Sequence, residues 1–140
     1  MHFASTRLIA ADIDSLVAFY ETLTGLTAEW LAPVFAQFAT ERGTLAIGSA
    51  ETVALFREGS AEPAANRSAI LEFRVADVDA EHARLAGKVE VVQAPKLMPW
   101  GNKAAQYRDP EGTLVSLFTP MSDEARTRAS RSVQSSTLSK

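Results

Sequence analysis

Three charged side chains stand inside runs that otherwise read as apolar strands: Arg7, Glu72 and Arg74. Strand alternation puts Arg7 on one face with Ser5 and Ile9, and Glu72 and Arg74 on one face with Ile70. Charges on a strand face that borders a cavity must be paired or functional. Arginine offers a planar fork that suits a carboxylate or a phosphate. Glu72 neutralises one or both arginines, or the charges reach solvent at the rim; a third reading makes Glu72 a general base, although no second acid-base group stands with it. Trp30, Phe38 and Trp100 have rings that can stack on a planar ligand or fill a core. Trp100, set between Pro99 and Gly101, has the least core to fill.

Much other chemistry is excluded. The chain has no cysteine, hence no disulfide, thiolate metal site or thiol nucleophile. Its two histidines are His2 and His82; the second falls in a helical segment, where it reads as an exposed surface residue. No Ser-His-Asp arrangement, phosphate-binding loop or dinucleotide fingerprint occurs. A net charge of −3 gives no basic field for nucleic acid. No apolar run approaches the roughly 20 residues of a membrane span, and no basic-then-apolar leader opens the chain. A soluble cytoplasmic protein is expected. The 140 residues suit one compact domain with a real core.

The elements that must position these residues follow from periodicity. His2–Ala11 reads as a strand, and Asp14 as the cap of a helix whose apolar face is Leu16, Phe19, Tyr20 and Leu23. Gly25 stops it. Strands are expected at Leu26–Leu31, Phe35–Thr40, Thr44–Gly48 and Thr52–Phe56, then a loop over Arg57–Asn66. The pattern restarts with a strand at Ser68–Ala76, a short helix capped by Asp79, a strand at Lys88–Gln93 and a loop through Pro95 and Pro99. Asp109-Pro110-Glu111-Gly112 fits a tight turn, Asp first, Pro second and Gly closing, so the strands beside it form a hairpin. After Pro120 the chain turns polar; Asp123–Ala129 can make a helical turn or two, with a disordered end beyond.

Two echoes suggest a duplicated unit. Ala11-Asp12-Ile13-Asp14 returns as Ala76-Asp77-Val78-Asp79, and Val53-Ala54-Leu55-Phe56 as Val115-Ser116-Leu117-Phe118. A third, Gly43-Thr44-Leu45 against Gly112-Thr113-Leu114, implies another register and is taken as chance.

Pro99-Trp100-Gly101, Arg108-Asp109-Pro110-Glu111-Gly112 and the apolar strand after them resemble the end of a vicinal-oxygen-chelate protein, the superfamily of glyoxalase I, the bleomycin-resistance proteins and the extradiol dioxygenases. The run from Leu8 to Tyr20 with Leu23–Leu26 resembles that family's first strand and helix. The resemblance implies an α+β fold of two βαβββ modules, about 1–58 and 67–120 in a domain of 1–120, with 121–140 as a polar tail. It implies half-open barrels whose free sheet faces enclose a ligand cavity, and a homodimer.

Metal-dependent members hold a divalent ion with four His, Gln or Glu side chains at equivalent places in the two modules. Counting from Asp12 and Asp77 puts two of these places at Ser5 and Ile70; the Val-x-Leu-Phe echo puts the others at Ala54 and Ser116. None is a usual ligand, so no metal and no other cofactor is expected. The leading reading is a metal-free protein that binds, and could sequester, a planar or anionic small molecule, as the bleomycin-resistance members do. Its binding residues would be Arg7, Trp30, Phe38, Phe56, Glu72, Arg74, Trp100, Ser116 and Phe118, with none catalytic. The alternatives are a glyoxalase-like lyase, isomerase or dioxygenase with an atypical metal site, and a module whose apolar surface or tail meets a protein partner.

Overall fold

The computed structural model describes residues 1–131 and falls into two units. The first comprises Met1–Ala69 with Arg108–Leu114; the second comprises Ile70–Tyr107 with the described residues from Val115 onward.

In the first unit, β1 (Ser5–Ala10) leads into α1 (Ile13–Thr24), then β2 (Glu29–Ala32), β3 (Phe35–Ala39) and β4 (Thr44–Ser49). The sheet runs β1-β4-β3-β2, with β1 parallel to β4 and the other pairs antiparallel. Register decides the faces. Thr6 and Leu8 lie opposite Leu45 and Ile47, which lie opposite Phe38 and Ala36. This face is covered by α1, since Tyr20 meets Phe38 at 6.4 Å between ring centroids. Arg7, Ala46 and Gln37 share the other face.

α1 begins two residues earlier than expected. Asp12, not Asp14, caps it by accepting from the Ser15 N–H at 3.1 Å. It ends at Gly25, whose φ of 72° is left-handed. The same correction applies in the second unit, where Asp77 rather than Asp79 accepts from the Asp79 and Ala80 N–H groups. In both places the first Asp of the Asp-x-Asp pair stands at the N-cap, immediately before the helix, while the second is already inside the first turn.

The expected strand Thr52–Phe56 is a helix instead. α2 (Ala50–Ala54) starts as soon as β4 ends, and Thr52 turns back to donate to the Ser49 carbonyl at 2.7 Å. β4, parallel to β1, already holds the place in the sheet for which Thr52–Phe56 was proposed. The helix lies close to β4: a Cβ on Gly48 would stand 2.6 Å from Thr52 Oγ1.

The second unit repeats the plan with β5 (Ile70–Arg74), α3 (Val78–Leu85), β6 (Glu90–Leu97), β7 (Asn102–Arg108) and β8 (Leu114–Pro120), in sheet order β5-β8-β7-β6. β6 runs through Pro95, expected to lie in a loop. As an edge strand it tolerates a missing N–H. α4 (Asp123–Ser130) is longer than the turn or two expected, capped by Ser122 on the Ala125 N–H. Residues 132–140, expected to be disordered, lie outside the described residues. No helix among the described residues is long and apolar enough to cross a membrane.

Candidate functional site

The Asp109–Gly112 turn forms as its sequence predicts. Gly112 N–H donates to the Asp109 carbonyl at 3.1 Å, and Asp109 Oδ1 takes the N–H groups of Glu111 and Thr113 at 2.8 and 3.0 Å. Asp109 is buried, and its Oδ2 accepts from the Tyr20 phenol at 2.7 Å. Burial, and after it the neighbouring Asp109 carboxylate, pushes the Tyr20 phenol far above its usual range. Beside it, both Glu111 carboxylate oxygens take the N–H groups of Ala11 and Asp12 at 2.8 and 3.0 Å. The motif thus anchors the start of α1. Tyr20, read from the sequence only as part of an apolar helix face, is a half of this bond that periodicity conceals.

On the open face of the first sheet, Arg7 places its guanidinium 5.6 Å from the Phe35 ring centroid and 5.8 Å from that of Phe56. It makes no ion pair among the described residues. Phe56 therefore does meet Arg7, but from the turn after α2 rather than from a strand. Phe38 is a correction: it is buried under α1 against Tyr20, closed to any ligand on the open face. Trp30 pairs with Ala36, which places it on the α1 side of the sheet.

In the second unit Glu72 and Arg74 alternate with half-buried Leu71 and Phe73 and are exposed. No ion pair joins them. Ser116 is buried between Val115 and Leu117, and Phe118 is half-buried. Trp100 leaves its ring exposed while its loop supports α4: its carbonyl accepts from Arg128, and the Gly101 carbonyl accepts from Met121 N–H at 2.8 Å. His82, expected to be an exposed surface residue, is half-buried and bonds through Nδ1 to the Tyr107 hydroxyl at 2.7 Å. Burial, and then the nearby Glu81, raises the Tyr107 pKa.

The strand correction moves one of the four metal places. The first module's hairpin closes at Thr40 and Gly43, the second's at Asp109 and Thr113, one residue longer. Three residues past each closure stand Ala46 and Ser116, so Ala46 replaces Ala54 as the counterpart of Ser116. The echo at Gly43 and Gly112, taken as chance, comes within one residue of this equivalence. With Ser5 and Ile70 the donor set is two hydroxyls and two hydrocarbon side chains, which does not fit a divalent ion. Among the described residues no group of three or more His, Asp or Glu is placed to hold one.

The family model described as "Glyoxalase/Bleomycin resistance protein/Dioxygenase superfamily" matches residues 2–117. The chain belongs to this superfamily. Similar solved structures agree in fold. A glyoxalase/bleomycin resistance protein/dioxygenase from Nocardioides is 22% identical, with a TM-score of 0.71, over 88% of this chain and 85% of that one. A protein of unknown function from Agrobacterium tumefaciens is 26% identical, with a TM-score of 0.74, over 85% and 94%. A lactoylglutathione lyase from the same species is 24% identical, with a TM-score of 0.63, over 84% and 92%. The comparison with curated proteins gave no match.

Proposed function

We propose that this superfamily member is a metal-free binding protein for a planar, anionic small molecule, and that Arg7 on the open face of the first sheet is its principal contact. The observation that carries the reading is the guanidinium set near two phenyl rings without a carboxylate partner. Such a group keeps its N–H edge for a ligand acid, while the rings offer apolar contact to the ligand's body. Glu72, Ser116 and Phe118 are kept as proposed small-molecule contacts within the second unit itself. The protein is read as a cytoplasmic homodimer with one domain over 1–120. Exposed Val91, Val92 and Leu97 on edge strand β6 support a subunit contact.

The test starts with metal content of the purified protein and thermal shifts on adding zinc, nickel, manganese or iron(II). The reading expects no stoichiometric metal and no stabilisation; a large metal-linked shift would overturn it. A screen of planar aromatic acids follows, in which Arg7→Ala abolishes binding and Phe56→Ala weakens it several-fold. Light scattering checks the homodimer.

A second reading, a glyoxalase-like lyase or isomerase, is supported by the structural likeness to the lactoylglutathione lyase. It requires metal from an atypical donor set, so the same metal measurement separates the two.

A further inference from the structure

Arg74, expected on the ligand face of β5, borders a separate cleft within the second unit. This cleft, about 450 Å³, is lined by Arg74 at the end of β5, Ala76 between β5 and α3, Thr119 and Pro120 at the end of β8, and Arg126 of α4. We infer that it is a binding site for the phosphate group of a small phosphate monoester, gripped between the guanidinium groups of Arg74 and Arg126.

Four observations carry this. First, two guanidinium groups from different elements line one cleft, in a chain whose net charge is −3. A phosphate dianion brings two charges and three acceptor oxygens to the pair, a carboxylate only one charge and two oxygens. Second, both groups are available. Arg74 has no ion pair or hydrogen bond among the described residues. Arg126 has only the exposed Asp123 of its own helix, at 3.2 Å, a contact that water and salt already compete for. Third, the walls are fixed before any ligand arrives. The Thr119 hydroxyl donates to the Val75 carbonyl at 3.0 Å and accepts from the Val78 N–H at 2.9 Å, tying the ends of β5 and β8 to the start of α3. α4 is seated against Gly101, where a Cβ would run into Ser122 Oγ, and is tied to the Trp100 carbonyl through Arg128. Fourth, the volume exceeds that of a bare phosphate and falls in the range of small-molecule sites, roughly 300–1,000 Å³. Pro120 supplies apolar wall for the rest of the ligand.

The consequence is specific to α4: a bound phosphate links the helix to β5 across the cleft. The probe is glycerol 3-phosphate, titrated into the full chain at constant ionic strength and followed by calorimetry and by amide shifts in NMR, with glycerate as the carboxylate control. The expected result is saturable binding with shifts at Arg74–Ala76 and along α4. Arg74→Ala and Arg126→Ala should each weaken it at least tenfold. Glycerate should bind at least tenfold more weakly, and Arg7→Ala should bind glycerol 3-phosphate as the parent does. Arg126 is on an exposed helix face, so its variant keeps the fold, checked by circular dichroism. No saturable binding, binding that survives loss of both arginines, or glycerate binding as tightly as the phosphate would each overturn the assignment. Because the readout is independent of Arg7, failure here leaves the proposed open-face site standing, and the reverse holds.

Discussion

The two halves of this chain use one plan and fasten it differently. In each, a strand runs into an Asp-capped helix, and a tyrosine hydroxyl bonds a polar side chain beside that helix. In the first unit the tyrosine is on the helix, Tyr20, and its partner is the buried carboxylate of Asp109. In the second the tyrosine is on strand β7, Tyr107, and its partner is the helical imidazole of His82. α1 has 12 residues and three carboxylates fixing it through Asp12, Asp109 and Glu111; α3 has 8 residues and relies on Asp77 and the Thr119 hydroxyl. A buried carboxylate accepting three bonds is worth more, and costs more to disturb, than a half-exposed imidazole accepting or donating one. The first half should therefore be the harder to loosen by solvent changes and the more sensitive to substitution.

That contrast can be broken most severely at Asp109. Asp109→Ala strands the Tyr20 hydroxyl and two turn N–H groups together, and should cost about 3–5 kcal/mol by denaturant unfolding. Tyr20→Phe removes one bond and keeps the turn, so a loss of about 1–3 kcal/mol is expected. It also sharpens the pH behaviour. Because the folded-state pKa of Tyr20 is raised, its contribution is complete below the ordinary tyrosine value near ~10 and is lost as pH rises above it, where only the unfolded chain ionises. The parent should lose stability more steeply than Tyr20→Phe in alkaline titrations. Glu111→Ala removes the acceptor for two N–H groups at the start of α1, for about 0.5–2 kcal/mol. His82→Ala, the matching change in the second half, should cost about 1 kcal/mol: it removes one bond from the buried Tyr107 hydroxyl, and because His82 is itself half-exposed, water can enter where its ring stood. If His82→Ala proved as damaging as Asp109→Ala, the asymmetry between the halves would be wrong.

The sequence made the duplicated fold legible because its strongest signals are local. The Asp-Pro-Glu-Gly turn, the i, i+3, i+4, i+7 face of α1 and the repeated Asp-x-Asp each depend on neighbours in the chain. Thr52–Phe56 misled because Thr, Val, Leu and Phe favour strands, while the available place in the sheet was already taken by β4. The site was less legible. Arg7 and Phe56 come together only because α2 turns the chain back, and Tyr20 meets Asp109 across 89 positions, which no periodicity reports. Phe38 looked like a ligand-stacking ring since a strand aromatic does not declare its face; the pairing with Leu45, under α1, decides it.

The placement of Arg108–Leu114 with the first unit has a consequence for synthesis. Residues up to Ala69 leave the ribosome first, yet the acceptors for the Ala11 and Asp12 N–H groups and for the Tyr20 hydroxyl lie beyond Arg108. At roughly 5–20 residues per second the interval is a few seconds. For that time the amino-terminal half must exist with its helix uncapped by Glu111 and its phenol unmatched. A nascent chain arrested after Ala69 should then present a looser, more protease-sensitive α1 than one arrested after Pro120.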